Sequence, residues 1–332
     1  MKSVAIIGAG IAGITLARQL QGSAEVSIFE KSRGFGGRMA TRQAGNYQFD
    51  HGAQFFTARS KQFQKLIDDC VAQNQIQAWL PRIITLDSKK EPFKREWFEP
   101  HYIATPKMNS LCKALARGLN VTLDTQISAI DAVEQGWLLK DSLGQQLGHF
   151  DWVISTLPAP QANELLPDCF VYKSELGMVD FSPCFSLMLG FELTHKLNFD
   201  AAVVRNSPLS WIASNSGKQG RPPSFSVMAH SDNAWAREQF DCNIDDVRHK
   251  MLMALDKIMG DALPLPDHIA IHRWKYAKAE SGCEENFLLD DSNRLAACGD
   301  WCGGSRVEDA YLSGLKLGEE LQILLRPGLS TL

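Results

Sequence analysis

An α/β fold with an α+β insertion is what this sequence predicts, and three observations carry the prediction. The first is a continuous apolar run, Val4–Ile7, that meets glycines at positions 8, 10 and 13 and then a helix-like pattern from Ile11. An unbroken apolar run suits a strand buried on both faces, and glycine at that spacing suits a turn that holds a pyrophosphate. The second is "EVSIFEKS", another apolar strand, ending in Glu30. The third lies near the far end. There "CGDWCGGSRVEDAYLSGLKLG", Cys298–Gly318, again gives a short apolar run, a glycine turn and a helix start. Two nucleotide-type turns so far apart, with β-like segments between them, predict a Rossmann-like domain assembled from separated pieces.

In the first turn, Gly8 permits the tight bend and Gly10 lets the backbone approach a pyrophosphate. Gly13 lets the helix pack on the strand, and Ala12 lies in the same first turn. The amides and dipole of the helix start favour the phosphates. Glu30, at the end of the second strand, suits both hydroxyls of an adenosine ribose. Directly after it, "KSRGFGGRMATR" sets Gly34, Gly36 and Gly37 around Arg33 and Arg38. A second glycine–arginine loop there suits a longer, extended cofactor whose pyrophosphate needs another cationic neighbour. "FDHGAQFFTAR", Phe49–Arg59, follows, and its small Gly52 and Ala53 would let the chain run beside a flat ring.

Bulk properties exclude several classes of function. The 332 residues are 45% hydrophobic and 22% charged, ordinary for a globular chain that buries a substantial core. A formal net charge of −4 gives no general attraction for nucleic acid or an anionic membrane, so neither is an expected partner. The eight cysteines form no CxxC pair and no His/Cys cluster with zinc spacing, so no metal is expected. They read as thiols in a reducing cytosol. "MKSVAIIGAGIAGITLA" mimics a short signal peptide, but its glycines belong to the turn, and no stretch is long and apolar enough to span a bilayer. A cytoplasmic location is expected, and no signal for an oligomeric state is present.

The order of these parts resembles the FAD-binding domain of the glutathione-reductase/amine-oxidase type. Longer stretches resemble the renalase family, particularly its bacterial members: "KSRGFGGRM", "GAQFFTAR", "STLPAPQA", "SPLSWIASNSGKQGR", "HRWKYA" and "CGDWC". The resemblance implies a discontinuous FAD-binding domain over 1–60, 100–160 and 290–328. An interleaved, sheet-based substrate domain would occupy 61–99 and 161–289. It implies noncovalent FAD, with its adenosine end at the early glycines, Lys31, Gly37, Arg38 and the backbone of Ile127. The flavin end would meet Gln54, Phe55, Asp300 near the ribityl or pyrophosphate region, and the Val307 amide at the N1–C2 carbonyl edge. A helix start suits the anionic character of a reduced flavin there. Phe56, Thr57, Ala58, Arg59, Ser60, Tyr102, Cys184 and Trp301 match substrate-side positions. In "YIATPKMNSL", Lys107 stands where the family segment usually carries glycine.

The remaining pattern suits a sheet-based insertion. "NVTLDTQISAIDA", "WVISTLPAP", "CFSLMLGFEL", "SWIAS" and "FSVMAH" read as strands, whereas "AWAREQF" and "IDDVRHKMLMALDKIM" read as helices. Trp274 and Tyr276 alternate along a strand-like segment and so share one face, where two aromatic rings would form a wall for a nicotinamide. His230 is placed to hydrogen-bond a carboxamide or to act electrostatically. Cys283 lies among glutamates and reads as a solvated loop residue.

Three activities compete at such a site. Resemblance to bacterial renalase implies removal of hydride from 2-dihydro and 6-dihydro isomers of NAD(P)H, with dioxygen as the second substrate and hydrogen peroxide as product. The second is oxidation of a small amine; Arg306, at a position typically aromatic in amine oxidases, argues against it because a guanidinium opposes an ammonium. The third is a flavin-binding redox sensor without turnover.

Overall fold

The computed structural model describes residues 1–87, 90–94, 98–192 and 196–326. The run Lys2–Ile7 lies inside a six-stranded sheet. Its order is Leu288–Asp290, Leu295–Ala297, Trp152–Ser155, Lys2–Ile7, Ala24–Phe29 and Asn120–Thr122. All neighbours are parallel except the outer pair Leu288–Asp290 and Leu295–Ala297. Both faces are covered, which is why the run is apolar without alternation. Val4 and Ile6 pack under helices Ile11–Gln19 and Val307–Leu324. Ala5 and Ile7 pack under a three-stranded meander, Ile127–Val133, Gly136–Asp141 and Gln146–Phe150.

Parallel pairing brings the carboxyl ends of three strands to one edge. There Thr156 N donates to Ile7 O at 2.9 Å, and Cys298 N donates to Ser155 O at 3.0 Å. Both glycine turns therefore open on the same edge, although 290 residues of chain separate Gly8 from Cys298. The two helices that leave these turns lie directly on each other. A Cβ on Gly314 would stand 2.3 Å from Ala12 O, so only glycine allows this approach.

A second sheet has seven strands. Its order is His268–Ala279, Phe181–Gly190, Ser226–Ser231, Leu209–Ser214, Ala201–Arg205, Ile83–Asp87 and Lys90–Lys94. One face, with Phe185, Leu187, Val227, Ala229, Ile212 and Ala202, packs on helix Ile244–Met259. That helix has the bounds its apolar period predicts. The opposite face carries the cross-strand row His272, Ser186, His230, Trp211, Val203 and Thr85. It turns toward the loop that contains His51–Phe56. No helix of the described residues is long and apolar enough to cross a membrane.

Candidate functional site

At the first turn each glycine has its own reason. Gly8 has φ +113°, in the left-handed region, and a Cβ there would lie 2.6 Å from Thr156 Oγ1. A Cβ on Gly13 would lie 2.2 Å from Gly8 O, so this glycine seats the helix on the turn. Gly10 differs: its Cβ would meet nothing within 4 Å, and the Cβ of Gly37 would meet only Gly10 Cα at 3.9 Å. Gly36 N donates to Ala9 O at 2.9 Å and holds the two loops together. The result is a gap lined by backbone, closed at one end by first-turn amides that the helix cannot satisfy itself.

Glu30 is buried beside this gap. Its carboxylate accepts from Ala9 N at 2.9 Å and Ser32 N at 2.8 Å and keeps further lone pairs for hydroxyl donors. Thr125 N donates to Glu30 O at 2.9 Å, which brings the chain just before Ile127 to the same corner. Lys31 is exposed and meets no partner among the described residues. Side-chain-free backbone, helix amides and a buried carboxylate fit an adenosine diphosphate group.

The carboxy-terminal turn lies across the gap. Arg38 donates to Asp300 through two hydrogen bonds of 2.7 and 2.5 Å, so the two expected cofactor contacts hold each other as one bidentate pair. Trp301 corrects an expectation. Expected on the substrate side, it is fully buried in the core, with its indole N–H donated to Leu157 O at 3.1 Å. Gly299 makes room for it, since a Cβ there would lie 2.5 Å from Trp301 Nε1. Gly52 is also explained differently from the expectation: its Cβ would stand 1.9 Å from Arg38 O, a backbone contact rather than clearance for a ring.

Val307 opens the last helix as expected. Asp309 accepts from Ser305 N, Arg306 N and the Arg306 guanidinium, all at 3.0–3.1 Å. No protein acceptor meets the amides of Val307 and Glu308 among the described residues, which leaves them for an anionic or carbonyl group. The Glu308 carboxylate, itself buried, accepts from Arg59 N at 3.0 Å and Ser60 N at 2.6 Å. This contact docks Phe56–Ser60 against the start of the last helix. Ser60 also caps helix Lys61–Ala72 by accepting from Phe63 N at 3.2 Å. Within the segment, Phe56 is buried against Phe63 and Tyr102, so it serves packing; Thr57 and Ala58 are half-buried. Arg59 is exposed and pairs with Glu99 at 2.7 Å. Tyr102 and Phe56 also exchange backbone hydrogen bonds.

The sheet face above carries the remaining candidates. The Trp274 indole N–H donates to His51 O at 2.8 Å, and its ring stacks on His51 at 5.2 Å and 27°. Tyr276 packs edge-on to Phe181 at 5.8 Å, and the Arg38 guanidinium lies 5.7 Å from the same Phe181 ring. The two aromatics thus face different neighbours, the His51 loop and Phe181. His230 and Trp211 are cross-strand partners, and His230 Nε2 and Trp211 Nε1 are buried without a hydrogen-bond partner among the described residues. Phe55 lies 5.7 Å from Trp211, 5.9 Å from Trp79 and 4.3 Å from His101. Burial, then Lys218, pushes His230 down to about 4. Burial also pushes His51 and His272 down to about 4, with nearby Arg42 adding to the effect. Burial pushes the Cys184 thiol up to about 11. The histidines and the thiol of this face are therefore uncharged at neutral pH.

Beneath the face lies a cluster that sequence reasoning missed. Asp50, fully buried, accepts from Arg221 Nη2 at 2.7 Å, Lys218 Nζ at 3.3 Å and Thr41 Oγ1 at 2.7 Å. Lys218 Nζ also donates to Gln54 Oε1 at 3.1 Å, and the Gln54 amide nitrogen donates to Asp50 O. Burial pushes the Asp50 carboxyl up, but Lys218 and Arg221 outweigh it and hold the group below its ordinary value. Burial pushes Lys218 down to about 8. Two cations share one carboxylate, and the surplus positive charge lies directly against Gln54, an expected flavin contact. The available signal was the Lys218 and Arg221 of "SNSGKQGR", a stretch that otherwise reads as a polar loop.

Residues 6–70 match the NAD(P)-binding Rossmann-like domain, and residues 97–319 match the family of flavin containing amine oxidoreductases. The chain is 24% identical over 308 residues to renalase of Mus musculus, covering 86% of this chain and 87% of that one. A shorter match, 43% over 58 residues, links 17% of this chain to 12% of 1-hydroxycarotenoid 3,4-desaturase of Flavobacterium sp. (strain P99-3). Among solved structures, reduced UDP-galactopyranose mutase superposes with a TM-score of 0.77 at 13% identity, covering 98% of this chain and 94% of that one. An oxidoreductase from Methanosarcina mazei gives 0.74 at 13% identity, covering 96% and 100%. At such identities these two likenesses concern the fold. The matched family implies a flavin cofactor, and the backbone-lined gap between the two turns fits its nucleotide end. With the family match spanning 97–319 of 332 residues, this chain belongs to the flavin containing amine oxidoreductases.

Proposed function

We propose that this chain is an oxidase that takes hydride from the 2-dihydro and 6-dihydro isomers of NAD(P)H, returning NAD(P)+ and, with dioxygen, hydrogen peroxide. FAD, held without a covalent bond, supplies the hydride acceptor and the reaction with dioxygen. Losing hydride restores an aromatic pyridinium, so the substrate ring itself drives the step and no strong base is required. One observation carries the reading: the side chains of the sheet face beside Gln54 and Phe55 include no strong, free base among the described residues. His51, His230 and His272, lowered to about 4, are weak bases, the Cys184 thiol is raised to about 11 and stays protonated, and the Asp50 carboxylate is taken up by Lys218 and Arg221. The likeness to renalase over most of both chains supports the same reading. Trp274, its ring fixed by the His51 carbonyl, provides a flat wall for a nicotinamide.

Oxidation of a small amine is the second reading, and two observations favour it. Asp309 pairs with Arg306 and cancels the charge that would oppose an ammonium, and Phe55, Trp79 and Trp211 gather aromatic rings near the site. Anaerobic mixing of the purified protein with borohydride-reduced NAD, and separately with amines, separates the two. Rapid bleaching by the minor 2- and 6-isomers, with little by ordinary 4-dihydro NADH and none by amines, supports the first reading. Bleaching by amines at comparable rates reverses the order.

A further inference from the structure

We infer that Cys283 and Cys302 form a peroxide-sensitive thiol pair that closes to a disulfide and ties the loop at 280–286 to the turn Asp300–Cys302. This goes beyond the proposed activity and holds whichever substrate reduces the flavin. The loop lies on the turn through Cys283 N, which donates to Trp301 O at 3.2 Å. Gly282 makes the approach possible, since a Cβ there would stand 2.4 Å from Trp301 O. Standard backbone dimensions around that hydrogen bond put the Cα atoms of Cys283 and Cys302 about 5–6.5 Å apart, inside the range that a disulfide spans. The Cys283 side chain packs on the cluster that contains Cys302, with its thiol donating to Glu285 O at 3.4 Å.

The two sulfurs differ as an attacking and a resolving thiol should. Cys283 is half-buried on a loop whose neighbours Glu280, Ser281, Glu284 and Glu285 are exposed, whereas Cys302 is buried. The neighbouring Cys302 side chain holds the Cys283 thiol below its ordinary value, and burial pushes Cys302 well above its own. Among the other cysteines, Cys70, Cys112 and Cys298 are buried and Cys169 is exposed. The oxidant is hydrogen peroxide. The Cys283 thiol releases its proton and its sulfur attacks one peroxide oxygen; the O–O bond breaks, and the departing hydroxide takes up that proton and leaves as water, with Cys283 as a sulfenic acid. The Cys302 sulfur then attacks the Cys283 sulfur, its proton leaves with the hydroxyl as a second water, and the S–S bond forms. Two thiols lose two electrons and two protons, and one peroxide becomes two waters.

The test treats the flavin-loaded full chain with added hydrogen peroxide, followed by alkylation, proteolysis and mass mapping. The expected result is a crosslink between the Cys283 and Cys302 peptides that dithiothreitol reverses, with both thiols lost about tenfold faster than Cys169, as a paired low-pKa thiol requires. Cys283→Ser should abolish the crosslink and leave Cys302 reduced. Faster oxidation of Cys169, a crosslink between Cys298 and Cys302, or sulfinic acid at Cys283 with Cys302 still free would each overturn the inference.

Discussion

Replacing Asp50 with Asn removes the one anion that two buried cations share while nearly preserving its shape. Lys218 and Arg221 both bond to Asp50 Oδ2, and all three side chains are closed to solvent. Stranding buried charge in this way costs about 3–5 kcal/mol. With an unfolding entropy of roughly 2.1 cal/mol/K per residue over a chain of this length, the melting temperature of Asp50→Asn falls by about 4–7 °C. Lys218→Met is the counter-experiment, since it leaves Asp50 and Arg221 as a one-to-one pair. Only Gln54 Oε1 then loses its donor, a loss of about 1–3 kcal/mol. The pH dependence follows from Lys218, lowered in the fold to about 8 from an ordinary 10.5. Between those values the unfolded chain binds more protons, so wild-type stability gains with rising pH, a gain that Lys218→Met lacks. Calorimetry from pH 7 to 10 measures all three proteins. A melting temperature for Asp50→Asn within about 1 °C of wild type, or a larger loss for Lys218→Met than for Asp50→Asn, refutes the charge argument.

Two further predictions concern the gap and the sheet face. Gly10→Ala leaves the thermal stability of flavin-free protein unchanged, because its Cβ meets nothing, yet weakens FAD binding about tenfold or more, equivalent to ~1.4 kcal/mol. Gly13→Ala instead destabilises the flavin-free protein by about 1–3 kcal/mol through the clash with Gly8 O, and calorimetry with FAD titration distinguishes the two. His51, His230 and His272, lowered in the fold to about 4 from an ordinary 6.5, bind fewer protons than in the unfolded chain between those values. Stability therefore falls as pH drops from 6.5 toward 4, and His272→Gln makes the decline in melting temperature shallower.

The parts legible in the sequence are those fixed by local chemistry. The glycines at 8, 10 and 13, the acidic end of the second strand and the apolar period of Ile244–Met259 each encode their own geometry within a few residues. Glu30 and the helix at Val307 stand where that chemistry puts them. What could not be read depends on meetings across the chain. Asp50 and Lys218 are 168 residues apart, and Arg38 and Asp300 are 262 apart. A lone lysine or aspartate reads as solvated until the fold supplies its partner. Trp301 illustrates the same limit, because only the missing side chain of Gly299, on a turn folded back over the core, reveals that its ring points inward.

The central claim is that one extended FAD lies between the early and the late glycine turns, and the visible spectrum of the purified protein tests it most directly. A flavin spectrum at a ratio near one per chain is predicted, with the cofactor recovered intact as FAD in the supernatant after acid precipitation. A colourless protein that stays colourless after incubation with FAD would contradict the account, and colour retained in the pellet would contradict noncovalent attachment.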